Sequence, residues 1–227
     1  MTQQRDGGGV KVRTVNIIAR AHLIPPFSLA PLISTYPYDS EKFLTHIAVP
    51  HQRFLFHIYK SGKVVSLSSK SISDLEASFA WLRSRLVGFG LNLSKAYEVT
   101  NIVAVARIAP PLDLRALAPL LPRTSYDPTH DFGLTPFAPP FFNAVIYYFL
   151  PPAIKPRQTA LIFRTGRATL TGFKSLHVLQ AAARLLATEI ATIIEDHPEI
   201  LAVKRAQTDH TPKIDVVPVA TSGGVNS

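Results

Sequence analysis

The chain has 227 residues, of which 47% are apolar and 17% charged, with no cysteine and a formal net charge of +9. That is enough apolar content to fill a core, and the lack of cysteine excludes a disulfide framework or a thiolate metal site and suits a reducing interior. The basic balance, with twelve Lys and Arg against six Asp and Glu in residues 1–100, points to a polyanionic partner such as nucleic acid or a membrane surface.

Residues 1–10 are polar and glycine-rich, without the apolar run of a secretory signal, and read as a flexible tail. A strand is expected over Val12–Ala21, rich in β-branched residues, followed by a short helix with Ser28 as its N-cap and Pro31 limiting its length. A strand near 43–49 leads into FLFHIYKSGKVVSLSSKS at 54–71, which alternates on both sides of a glycine turn and reads as a hairpin. An amphipathic helix follows, capped by Ser73 or Asp74, with Leu75, Phe79, Leu82 and Leu86 as its apolar stripe and Gly88 or Gly90 at its end. Trp81 on this helix reads as packing.

The same plan then returns. A strand is expected over Val99–Ile108, a short helix capped by Asp113 and limited by Pro119, a strand near 144–150, and a second hairpin, QTALIFRTGRATLTGFKS, at 158–175. A long helix with Leu179, Ala183, Leu186, Ile190 and Ile193 on one side closes the series, and 201–227 reads as a disordered polar tail. The apolar stretch at 134–154 carries five prolines and an Asn, which argues against a membrane span.

The recurrence extends to short motifs. Asn16-Ile17-Ile18-Ala19 returns as Asn101-Ile102-Val103-Ala104, Pro25-Pro26 as Pro110-Pro111, and Tyr38-Asp39 as Tyr126-Asp127, with the offset widening from 85 to 88 and then to 104 at the hairpins. Order kept under a growing offset is the mark of a duplication with loop insertions. It divides the chain into repeats at 11–97 and 98–200, with an insertion near 129–141 in the second.

An antiparallel sheet with helices on one face leaves the other to be solvated, covered or used for binding. In the second hairpin Ala160, Ile162 and Leu170 suit the helix side, which turns Thr159, Leu161, Phe163, Thr169 and Thr171 to the other face. The matching positions of the first hairpin are His57, Tyr59, Val65 and Leu67, and Lys60, Lys63, Lys70, Arg164, Arg167 and Lys174 lie at the margins. An apolar strip bordered by cations suits a nucleic-acid groove, where phosphates meet the cations and bases meet the strip.

Asn101-Ile102-Val103-Ala104, Leu112-Asp113-Leu114, Tyr126-Asp127-Pro128, Ala160-Leu161-Ile162-Phe163, Thr165-Gly166-Arg167 and Thr171-Gly172-Phe173-Lys174-Ser175 occur in this order, and over 11–195 the chain resembles the TATA-binding protein family. The resemblance implies an α+β saddle: two direct repeats sharing a curved antiparallel sheet, with helices on the convex face. It implies a general transcription factor, archaeal in type, that binds and bends A·T-rich promoter DNA through the minor groove. Wedging aromatics would be Phe163 and Tyr59 in the hairpins, with Phe43 and Phe142 as their mates, although Phe132, Phe137 and Phe141 compete with Phe142.

In that resemblance Asn16, Asn101 and Thr171 would address the A·T acceptors at the centre, with Ile18, Val65, Val103 and Thr169 on the groove floor and Leu161 on the same binding face. Lys63, Lys70, Arg167 and Lys174 would meet phosphates. His57, Tyr59 and Leu67 depart from the family pattern on this face, and Leu67 removes a central hydroxyl. Double-stranded DNA, transcription factor B and the RNA polymerase machinery are the implied partners, with a homodimer when DNA is absent. The location implied is cytoplasmic, at the nucleoid, or nuclear in a eukaryote.

No catalytic constellation or cofactor motif stands out: Ser61-Gly62-Lys63 lacks phosphate-loop spacing, and His46, His51 and His57 lack metal-ligand spacing. A non-enzymatic role is therefore expected. The alternative is a divergent paralogue that regulates transcription through protein contacts.

Overall fold

The computed structural model describes residues 10–36, 46–125, 144–151, 153–154 and 157–202. Among these residues nine strands form one antiparallel sheet. In chain order they are β1 (Val12–His22), β2 (His46–His51), β3 (Phe54–Tyr59), β4 (Lys63–Ser69), β5 (Glu98–Arg107), β6 (Thr124–Ser125), β7 (Ala144–Tyr148), β8 (Thr159–Phe163) and β9 (Arg167–Phe173). Across the sheet the order is β2-β3-β4-β1-β5-β9-β8-β7-β6. The opening strands of the two halves, β1 and β5, thus meet in the middle, and each hairpin lies to one side.

Among the described residues four α-helices accompany the strands: α1 (Ala30–Ile33), α2 (Ile72–Val87), α3 (Leu114–Leu117) and α4 (Leu176–Asp196). The two long ones bury the expected stripes, Leu75, Phe79, Leu82 and Leu86 on α2 and Leu179, Ala183, Leu186 and Ile190 on α4, with Ile193 packed at the margin. Helix α4 is long and apolar enough by length and composition to cross a membrane. Its apolar stripe is instead used against the sheet, in one core with Ile17, Ala19, Ile102, Ala104, Ile162 and Leu170.

Local chemistry departs from expectation at the helix starts. Ser71, not Ser73 or Asp74, caps α2: its Oγ accepts from Asp74 N at 3.0 Å, while the Asp74 carboxylate accepts from Lys70 N at 3.3 Å. This reciprocal arrangement needs Asp74 inside the first turn. Pro31 likewise sits in the first turn of α1, where a missing N–H costs nothing, and Ser28 accepts only a long 3.4 Å bond from Ala30 N. Asp113 caps α3 as expected, accepting from Arg115 N and Ala116 N. Pro119 lies in a 3-10 turn that continues from α3. At the far end of α2, Gly88 is the C-cap and Gly90 takes the left-handed φ of +70°. Trp81 packs, its ring stacked on His51 at 3.7 Å and near Phe56.

Candidate nucleic-acid interface

Alternation along the strands separates two faces. Phe54, Phe56, Ile58, Val64, Ser66, Ala160, Ile162, Ala168 and Leu170 are buried on the helix side. The residues between them are half-buried on the open face: Leu55, His57, Tyr59, Lys63, Val65 and Leu67 in the first half, and Leu161, Phe163, Thr169 and Thr171 in the second. From the middle strands, Asn16 and Ile18 on β1 and Asn101, Val103 and Val105 on β5 share that exposure.

The centre is held by β-bulges. Pairing shifts register between Ile17 and Ala19 on β1, opposite β4, and between Ile102 and Ala104 on β5, opposite β9. Beside each shift an asparagine is locked by a backbone amide: Asn16 Oδ1 accepts from Ser68 N at 3.0 Å, and Asn101 Oδ1 from Gly172 N at 2.8 Å. With the carbonyl oxygen engaged, each amide NH2 is left as the group to present to a ligand. Thr171 joins the second lock, its hydroxyl 3.3 Å from Asn101 Nδ2. Leu67 stands at the matching place in the first half and offers no hydroxyl, so that side of the centre is apolar.

The lock needs a left-handed residue. Gly172 adopts φ +89° and Ser68, its counterpart, φ +72°. At Gly172 a Cβ would run into the Arg157 carbonyl, so glycine is required there by space as well as conformation. Ser68 carries its Cβ in a conformation that costs about 1–2 kcal/mol. Aligning the two hairpins identifies this position, whereas the first hairpin alone does not.

Charge is sorted between faces. Among the described residues the strands carry five Lys or Arg, four His and a single carboxylate, Glu98. The other described carboxylates, such as Asp74, Glu76, Glu189, Glu195 and Glu199, belong to the helices and their ends. Arg20, Arg107 and Arg167 are exposed at strand margins in open-face alternation.

Glu98 was not anticipated: it receives Arg20 at 2.6 Å and Lys174 at 2.7 Å, and these two donors hold its carboxyl below the usual carboxylate range. Lys174 is therefore an ion-paired cation rather than a free one. Lys70 and Arg167 are exposed, and the Lys63 ammonium lies 4.0 Å over the Tyr59 ring.

The outer part of the first half is aromatic and titratable. His46 and His57 stack at 4.1 Å with 27° between planes, and Tyr59 lies 5.2 Å from His46. Burial, and secondarily the charge of His46, lowers the pKa of His57. In the second half Leu161 and Phe163 take the places of His57 and Tyr59. His46 was missed as a face residue, although its direct pairing with Tyr59 on β3 places it there. Phe43, Phe132, Phe137, Phe141 and Phe142, together with the insertion near 129–141 and the two tails, lie outside the described residues.

This is an open antiparallel sheet with its helices on one face, and known proteins share it. A solved structure, the Methanococcus jannaschii TBP, superposes with a TM-score of 0.65 at 20% identity, over 80% of this chain and 99% of that one. The family model of transcription factor TFIID (or TATA-binding protein, TBP) matches residues 96–193. The TATA-box-binding protein of Pyrococcus horikoshii is 29% identical over 204 residues, 86% of this chain and 99% of that protein. TATA-box-binding protein 2 of Methanosarcina acetivorans is 28% identical over 187 residues, 77% of this chain and 92% of its own length. The fold is the α+β saddle of those proteins. In sequence the chain is similar to the TATA-box-binding proteins along most of its length.

Proposed function

We propose that this protein is a general transcription factor that binds duplex DNA through the open sheet face, in the minor groove, and bends it at A·T-rich promoter elements. The observation that carries this reading is the pair of locked asparagines, Asn16 and Asn101, at the centre of a face that holds one carboxylate among its strands. The minor groove of an A·T pair presents acceptors only, and an amide turned donor-outward meets them. Ile18, Val65, Val103, Leu161, Thr169 and Thr171 supply the floor contacts, and Lys63, Lys70 and Arg167 the phosphate contacts. Lys174 joins them once a phosphate competes with Glu98.

Phe163 and Tyr59, with Phe142 and Phe43, are the wedges of this reading. Unstacking a base step costs a few kcal/mol, offset by the wider surface that a bent duplex buries. The names of the relatives support the same function, and no enzymatic role is proposed.

The working division is 11–97 and 98–200, each half covering one half of the element. Transcription factor B and RNA polymerase are the protein partners in this reading, with Leu150 and Ile154, both exposed, in the loop between β7 and β8 that would meet the former. The protein would act in the cytoplasm at the nucleoid, and would pair with a second copy over its apolar face when DNA is absent.

Gel-shift and bending measurements with A·T-rich and G·C-rich duplexes across a salt series test the core of this. Tighter, bent complexes on A·T-rich DNA are expected, with affinity falling as salt rises. Failure to bind any duplex at low salt would refute it. Equal affinity for both duplexes would remove the A·T preference and leave DNA binding.

A further inference from the structure

We propose that the outer first half of the sheet reads the guanine 2-amino group through the His57 imidazole, so that the protein's DNA element has one A·T-restricted half and one half in which G·C is preferred. The inference rests on the minor-groove reading above and specifies its base preference half by half.

In the minor groove, A·T pairs offer only acceptors, and a G·C pair adds one donor, the guanine N2 amino group. A face made of donors and hydrocarbon therefore rejects G·C, because the amino group loses its water and gains nothing. At the place of His57 the second half offers hydrocarbon, Leu161, beside Val103 and the Asn101 amide, and its Thr171 hydroxyl is engaged by Asn101. In the first half, His57 occupies the place of Leu161, and Leu67 removes the hydroxyl that Thr171 supplies at the centre.

The geometry holds an acceptor on this face. His57 is flanked by Ala48 on β2 and Val65 on β4 in the sheet register, with its ring stacked on His46. The charged and titratable groups around it are His46 from β2, Tyr59 from its own strand and Lys63 from β4. No strand carboxylate stands among them, since Glu98 lies on β5 and is engaged by Arg20 and Lys174. Nothing there favours the imidazolium, and burial further disfavours it. A neutral imidazole keeps one ring nitrogen as an acceptor, and the ring makes no hydrogen bond among the described residues that would use it up. Leucine at 161 shows that the fold accommodates an apolar side chain in the corresponding place.

The test uses the full chain and duplexes in which a single G·C or inosine·C pair is walked along an otherwise A·T element. Inosine lacks the 2-amino group, so its pair with C has the minor-groove edge of an A·T pair. Under the second half, I·C should bind about tenfold more tightly than G·C. Under the outer first half the order should reverse, G·C binding about fivefold more tightly, the worth of one net hydrogen bond. In His57→Leu the reversal should vanish and I·C should be preferred throughout. Preference for I·C at every position in the unaltered protein, or a reversal that survives His57→Leu, overturns the proposal. Absence of binding to every duplex would instead remove the minor-groove reading, and this one with it.

Discussion

The two halves of the sheet follow one path but solve the same packing problem with opposite residues. In the second half the strand carries the bulk: Phe173 on β9 is fully buried, while α4 has the small, buried Ala183 where α2 has Phe79. In the first half the helix carries it. Phe79 on α2 takes the place of Ala183, and Ser69 on β4 takes the place of Phe173. The exchange roughly conserves volume, which cores tolerate. It leaves a polar residue, however: buried Ser69 Oγ has no hydrogen-bond partner among the described residues, whereas Ser66 and Ser78, also buried, approach each other at 3.5 Å. The same contrast recurs on the open face, where one half is hydrocarbon and hydroxyl and the other imidazole and phenol. Secondary-structure plan and side-chain chemistry have drifted independently.

Substitutions at matched positions sharpen that contrast. Phe173→Ala should cost about 3–5 kcal/mol of unfolding free energy in denaturant titration, because the fully buried ring, packed on Phe149, would leave a cavity. Ser69→Ala, at the equivalent place, should stabilise by about 1–2 kcal/mol, since it deletes an unpaired buried hydroxyl. A loss of stability there would show that the hydroxyl has a partner.

At the bulges the signs also oppose: Gly172→Ala should destabilise by more than about 1 kcal/mol, and Ser68→Gly should stabilise by about 1 kcal/mol. Both are readable as shifts in melting temperature. Equal effects at the two sites would mean that the left-handed backbone is relaxed in one half.

The smallest effect concerns pH. His57 has a folded pKa below its unfolded value, so its contribution to stability is present above the unfolded pKa, about 6.5, and is lost as pH falls through the folded one. The unaltered protein should therefore lose more stability than His57→Leu as pH falls below about 6.5. Over the same range, protonation removes the ring acceptor, so discrimination between G·C and I·C should fade while overall DNA affinity rises. Identical pH profiles for the two proteins would exclude His57 as the titrating group.

The amount that the sequence discloses differs by kind. The hairpins and their two faces were legible because alternation with period two is local, and the parity at Ala160, Ile162 and Leu170 holds residue by residue. The long helices were legible from Leu75–Leu86 and Leu179–Ile190. The caps were not: Ser71, Ser73 and Asp74 compete within one turn, and only the backbone conformation decides between them. Contacts across the sheet were hidden as well. Glu98 meets Arg20 and Lys174 through strand order, over separations of 78 and 76 residues, and no local pattern announces that. The asparagine locks depend on bulges at Ser68 and Gly172, which become visible only when one hairpin is laid over the other.

The central pairing of β1 with β5 has a consequence for the history of such a chain. Cut between Ser94 and Tyr97, each half would present a strand of ten or eleven residues as a bare edge, rich in Val, Ile and Ala. An edge of that kind seeks another strand. Two copies of one half, meeting edge to edge and antiparallel, are related by a twofold axis and close on each other without leaving a free edge at the seam. A half-length ancestor would therefore have been a symmetric dimer, and fusing its copies is the step that released each side to acquire its own residues.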